Sequence, residues 1–154
     1  MTFKIELRPF TPAHVSRTYQ WVCTPRIQKT FLMRAKPTRE GNIAYWNKVL
    51  SDKTQQVYAI YADSIYVGNC GLKNKGELWI YIGLPELQKL GIGSAVTRML
   101  LDRVFKENEI AYVHVAKSNT VALKMYTRLG FKEVGWLEDE WQGRGVIRME
   151  LAKA

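Results

Sequence analysis

Residues 4–8 read Lys-Ile-Glu-Leu-Arg, apolar and charged in strict alternation, so one row of side chains can face a core while the other faces water. That pattern predicts a first strand. Thr11 followed by Pro12 supplies an N-cap and a proline for the opening turn of a helix running to about Cys23, where Pro25 is expected to stop it. Residues 24–37 carry little periodicity and read as a loop or an irregular short helix. Thr38 then caps a second helix, in which Ile43, Trp46, Val49 and Leu50 recur at helical spacing. Two apolar runs, 57–61 and 66–72, joined by Ala62-Asp63-Ser64, predict a hairpin; residues 77–82 follow Asn74-Lys75-Gly76 as a third antiparallel strand. Helical spacing returns at Ile92, Val96, Met99, Leu100 and Val104. Residues 110–115 are β-rich, Ala122, Met125, Tyr126 and Leu129 repeat as a helix, and 131–137 and 146–151 close the chain as a strand pair. Between that last pair, Glu138-Asp139-Glu140 and Gly143-Arg144-Gly145 mark an exposed connection. The order is β-α-α-β-β-β-α-β-α-β-β, an α+β arrangement with a mixed sheet and no internal repeat.

Length and composition narrow the picture without changing it. The chain of 154 residues is that of one domain, 1–154, able to bury a core without disulfides or metals. Cys23 and Cys70 are too few for a disulfide framework and lack metal-ligand spacing, so both are expected to be reduced and at least partly buried. No apolar stretch is long enough to span a membrane and residues 1–8 do not read as a signal peptide, which points to the cytosol and to no membrane partner. Lysine and arginine exceed aspartate and glutamate, 23 to 14, giving a net charge of +9 that would draw in anionic ligands. The basic residues are scattered and fit no nucleic-acid recognition motif, so a phosphate-bearing cofactor or substrate explains the charge better than nucleic acid does.

The chemistry concentrates at Gln88-Lys89-Leu90-Gly91-Ile92-Gly93, directly between the strand at 77–82 and the helix starting near Ile92. Glycines at 91 and 93 let backbone N–H groups converge on an anion, and the helix N-terminus adds the positive end of its dipole. A dinucleotide fingerprint would need a third glycine and a P-loop would need Gly-Lys-Ser/Thr; neither is present. Two glycines alone would also suit a plain strand-to-helix turn.

These residues resemble the Gln/Arg-x-x-Gly-x-Gly/Ala signature of the GNAT N-acetyltransferase superfamily, matched at Gln88, Gly91 and Gly93. Downstream, Asn119, Ala122 and Tyr126, followed by Leu129-Gly130-Phe131, resemble that superfamily's second signature. The resemblance implies the GNAT fold: α+β in α/β/α layers, with a mixed, mostly antiparallel sheet of about seven strands flanked by about four helices. It implies acetyl-CoA as cosubstrate, with no metal. Its diphosphate would be held by Gln88, Lys89, Leu90, Gly91, Ile92, Gly93 and Ser94, with Ala122 nearby and Asn119 near the pantetheine arm. The strand before the loop is expected to splay from the strand after the helix, leaving a backbone amide at Ile82 or Gly83 for the acetyl carbonyl. Asn119, Ala122 and Tyr126 share one side of a helix. By resemblance Tyr126 donates a proton to the departing thiolate, a role suited to a phenol that stays protonated at neutral pH; as an aromatic on an apolar helix face it also reads as core.

Two residues compete as general base. Glu77 stands at the position of the glutamate of histone-type members, and His114 where members that modify ribosomal proteins often carry a glutamate; a chain of waters is the third possibility. Recognition of the amine acceptor is expected from residues 24–37 and 137–145. Within or beside them Trp21, Arg26, Phe31, Arg34, Trp136, Trp141 and Arg144 offer rings and guanidinium groups for a base, sugar or phosphate, although Trp21 and Phe31 also read as packing the helices, the favoured reading for Trp21. The pattern resembles members that acetylate nucleotide-linked amino sugars, the favoured small-molecule acceptor, and also those that modify protein N-terminal amines. Glu138-Asp139-Glu140 would suit a polyamine or basic peptide, and aminoglycosides are a further class. A non-catalytic CoA-binding module is the alternative of a different kind. The enzyme is expected to act as a monomer or homodimer.

Overall fold

The alternation near the N-terminus becomes β1 (Ile5–Pro9), an edge strand whose Ile5 and Leu7 lean on the main core. The computed structural model describes residues 2–31, 33, 36–138 and 145–154. Pro12–His14 forms a single 3-10 turn, closed by the Thr11 N–H donating to His14 Nδ1 at 3.0 Å, before α1 (Val15–Val22) begins. The first helix is therefore shorter than expected. Pro25 does not stop a helix but opens one, α2 (Pro25–Thr30), because a proline lacks only the N–H that a first helical residue leaves unpaired anyway. Thr38 caps α3 (Arg39–Ser51) by accepting the Gly41 N–H at 3.0 Å.

Three antiparallel strands follow, β2 (Gln56–Ala62), β3 (Ile65–Lys73) and β4 (Glu77–Ile82), then α4 (Ile92–Val104), β5 (Ile110–Ala116), α5 (Thr120–Arg128), β6 (Lys132–Glu138) and β7 (Gly145–Ala152). The strands form one seven-stranded sheet in the order β1-β2-β3-β4-β5-β7-β6. Seven strands match the expectation; among the described residues the helices number five rather than about four, the addition being α2.

Alternation along β4 divides its side chains between two layers. Leu78, Ile80 and Ile82 join α4 and α5 in the main core, around the fully buried Ile92, Val96 and Leu100. Trp79 and Tyr81 point to the opposite layer, where α1, α2 and α3 contribute Trp21, Ile27 and Trp46. Full burial of each of these large side chains contributes about 1.5–3 kcal/mol. Under that second layer lies a closed polar cluster. Asn69 Nδ2 donates to Tyr81 Oη at 2.7 Å and to Thr18 Oγ1 at 3.0 Å, while Tyr66 Oη donates to Asn69 Oδ1 at 2.6 Å. Every buried group in it has a partner, so it fixes the Tyr81 ring rather than weakening the layer.

Among the described residues the only parallel pair is β4 with β5, and its register holds at one point, Glu77 opposite Tyr112. Beyond Glu77 the strands diverge, and the sheet opens into a V.

Candidate active site

Both sides of the V carry clefts. One, of about 590 Å³, runs from the β4 end over the loop before α4 to α5, and among the described residues its charged lining is Arg26, Lys89, Lys124 and Arg128, with no carboxylate. The other, of about 730 Å³, lies under α2 and α3 against β4 and β5. Thr30, Ile80, Tyr81, Asn119, Ala122 and Tyr126 line both, so the clefts meet at the V.

At the mouth of the first cleft Gly91 is the N-cap of α4 with φ +88°, left-handed geometry that an L residue rarely adopts, and nothing lies within 4 Å of where a β-carbon would stand. The vacant space, the first-turn amides of α4 and the four surrounding cations suit a polyphosphate. Gln88, Lys89, Gly91, Gly93 and Ser94 all line this cleft; Leu90 is exposed beside it and the Ile92 side chain is core, leaving its backbone as the part available to a ligand. These residues fit coenzyme A.

The two amides considered for the acetyl carbonyl differ. The Gly83 N–H donates to Val67 O at 2.8 Å and is spent within the sheet. In an antiparallel ladder the pairs alternate, so with Gly83 and Val67 bonded, Ile82 opposite Gly68 directs its N–H and C=O away from β3, into the V. Arg26 already meets that edge: its Nη2 donates to Ile82 O at 2.9 Å and Gly83 O at 3.0 Å.

Tyr126 projects from α5 with 5% of its surface exposed, its ring edge-on to Phe131 at 5.2 Å between centroids. Burial, with a smaller contribution from the Cys70 thiol, pushes its pKa well above the ordinary tyrosine value, so the phenol is protonated throughout the neutral range. Its hydroxyl has no hydrogen-bond partner among the described residues. Core and cleft are not alternatives here, since the ring is packed while the residue lines both cavities. Asn119 Oδ1 caps α5 by accepting the Ala122 N–H at 3.2 Å, so at least half of its amide is structural.

Glu77 and His114, expected to compete, are neighbours. His114 Nδ1 stands 3.4 Å from Glu77 Oε2, and Asn74 Nδ2 donates to Glu77 Oε1 at 2.9 Å. Both line the second cleft, on the α1–α3 face.

Of the residues expected to meet the acceptor, Phe31 lines that cleft, edge-on to Tyr81. Trp21 does not: it is 4% exposed and packed with Ile27 and Tyr81, and a β-carbon on Gly83 would overlap its ring. Arg26 faces the first cleft instead, because α2 carries it to the end of β4. Trp136 stands half exposed on β6, under the Lys117 ammonium. Arg34, Trp141 and Arg144, with Asp139 and Glu140, lie outside the described residues. Lining residues that the sequence had not singled out are Lys36, Tyr45, Lys73 and Trp79, together with Trp46, which had been read only as a helix-packing residue.

A sequence model described as an acetyltransferase (GNAT) domain matches residues 4–132. Among solved structures, a spermidine N-acetyltransferase from Vibrio cholerae in complex with CoA and spermine superposes with a TM-score of 0.84 at 22% identity, covering 96% of this chain and 95% of that one. A domain from Methanocaldococcus jannaschii gives 0.81 at 20% identity over 97% and 100% of the two chains. An aminoglycoside acetyltransferase in complex with coenzyme A gives 0.81 at 16% identity over 97% and 95%. At such identities the structural likeness speaks for the fold, while the domain match spans most of the sequence. The chain thus belongs to the GNAT acetyltransferase family, N-acetyltransferases that use acetyl-CoA.

Proposed function

We propose that this enzyme acetylates a primary amine on a small anionic acceptor, such as a nucleotide-linked amino sugar, by direct attack without a covalent enzyme intermediate. The observation that carries the acceptor class is the lining of the second cleft. Its aromatic side chains, Phe31, Tyr45, Trp46, Trp79 and Tyr81, offer stacking surface, and among the described residues its cations Lys36 and Lys73 outnumber the one carboxylate, Glu77. That carboxylate is already engaged by His114 and Asn74.

Acetyl-CoA supplies an activated acyl group on a good leaving thiol. The first-turn amides of α4, with Gln88, Lys89, Gly91 and Gly93, hold its diphosphate. The Ile82 N–H serves as donor to the acetyl oxygen, and Asn119 and Ala122 border the pantetheine path. Glu77 and His114 lie on the acceptor face and Tyr126 on the α5 face, so proton removal from nitrogen and proton delivery to sulfur proceed from opposite sides of the V.

A polyamine or aminoglycoside acceptor is the second reading, favoured by the spermine bound to the Vibrio cholerae neighbour and by the acidic run at 138–140. Against it, two lysines in the described lining would repel a polycation. The test is thiol release at saturating acetyl-CoA across nucleotide-linked amino sugars, peptides, polyamines and aminoglycosides. The anionic acceptors should show the highest kcat/KM, and Lys73→Glu should raise their KM. A preference for spermidine that Lys73→Glu strengthens would overturn the acceptor class. Stabilisation by coenzyme A with no thiol release from any amine would favour a binding module.

A further inference from the structure

Three features around His114 have one explanation. First, among the described residues β4 and β5 share a single register pair, Glu77 opposite Tyr112, which brings the Glu77 carboxylate to His114 Nδ1 at the closed end of the V. Second, neither oxygen of that carboxylate is free: Oε1 accepts from Asn74 Nδ2 at 2.9 Å, and Oε2 faces the imidazole. Third, the glutamate side chain is only 10% exposed against 30% for the histidine, and His114 Nε2 has no partner among the described residues. The carboxylate is the more deeply buried of the two partners.

We propose that His114 Nε2 is the proton acceptor and that Glu77 and Asn74 are positioning residues for it, so that the three act as one unit. This rests on the acetyl-transfer reading above. Asn74 belongs to the turn before β4 with φ +49°, a conformation asparagine tolerates, and the Tyr112 hydroxyl donates to its carbonyl at 3.0 Å. The turn therefore aims one side chain at Glu77 while its backbone is tied to β5. Glu77 Oε2, 3.4 Å from Nδ1, is the group placed to take up the Nδ1 proton of His114 and so to fix the tautomer with Nε2 open to the cleft. The 3.4 Å separation is long for a hydrogen bond, as catalytic contacts often are before a substrate is present.

The step balances within the chain. As the new C–N bond forms, His114 Nε2 takes the proton shed by the amine nitrogen. As the C–S bond breaks and its electron pair leaves with sulfur, Tyr126 supplies the hydroxyl proton. Return of one proton from His114 to Tyr126 through solvent restores both residues.

The test combines kinetics with the ring tautomer. His114→Gln and Glu77→Gln should each lower kcat, by about 10²-fold for the histidine, with the KM for acetyl-CoA unchanged. The double variant should be no slower than His114→Gln alone. Asn74→Gly, which keeps the turn but removes the amide, should lower kcat less, and Glu77→Asp should recover part of the loss. In ¹⁵N spectra of the free enzyme, His114 should be the Nδ1–H tautomer, and Glu77→Gln should mix the tautomers. Multiplying effects in the double variant would overturn the proposal, as would a silent His114→Gln beside an inactive Glu77→Gln. Absence of thiol release from wild type with every amine would instead remove the acetyl-transfer reading. The tautomer measurement needs no acceptor and would then decide the positioning claim alone, an Nε2–H tautomer or one indifferent to Glu77→Gln refuting it.

Discussion

Replacing Tyr126 by phenylalanine separates packing from chemistry at one atom. The ring keeps its edge-to-face contact with Phe131 and its place in the core, and the hydroxyl it loses breaks no hydrogen bond to the described residues. Stability should therefore change by less than about 1 kcal/mol, a melting shift of no more than about 4 °C for a chain of this size. Turnover should fall far more. A thiolate leaving in the V needs a hydrogen-bond donor, which is what a phenol held protonated by burial offers. General acid assistance of this kind contributes about 10²–10³-fold, or about 3–4 kcal/mol of barrier. The assay is thiol release at saturating acetyl-CoA with a thermal melt on the same preparation. A kcat within threefold of wild type would remove Tyr126 from the mechanism, and a large melting loss would make it a structural residue.

Other perturbations read different parts of the molecule. Gly91→Asp places a carboxylate where diphosphate must approach and should raise the Kd for coenzyme A by roughly 100-fold in isothermal titration, with the fold retained in circular dichroism. Asn69→Ala leaves Thr18 and Tyr66 bonded to each other at 3.1 Å but strands the buried Tyr81 hydroxyl, and should cost about 2 kcal/mol in urea unfolding, against under 1 kcal/mol if the cluster is solvated. The buried phenols predict alkaline weakening. Tyr66 is pushed up to about 12, and Tyr126 is also raised, chiefly by burial, so both stay neutral when folded while an unfolded tyrosine ionises near 10. Their contribution is complete below about pH 10 and is lost as pH rises towards the folded values; urea midpoints from pH 9 to 11 should fall, and less steeply in Tyr126→Phe.

The middle of the chain was legible because its signals are local. Residues 77–82 appear as β4 with the expected bounds, since the turn residues before it and the glycine loop after it leave little freedom. Pro25 misled because proline both ends and begins helices, and only packing of Ile27 against Trp21 selects the second outcome here. Trp21 could not be told from a ligand-facing ring, because helix periodicity does not say which neighbour covers it. The pairing of Glu77 with His114 was invisible for a different reason: α4 separates them in sequence, and only the parallel register of β4 and β5 joins them. Asn74 read as a turn former, which it is; that its side chain also reaches Glu77 depends on the turn's left-handed backbone.

Cofactor binding here requires a diphosphate held by main-chain N–H groups where α4 begins. Titrating ¹⁵N-labelled protein with coenzyme A and, separately, with pantetheine tests this directly. Coenzyme A should shift the amides of Ile92, Gly93 and Ser94 strongly, and pantetheine, which lacks the diphosphate, should leave them in place while shifting Ile82. Equal responses at α4 to the two ligands, or none to coenzyme A, would contradict it.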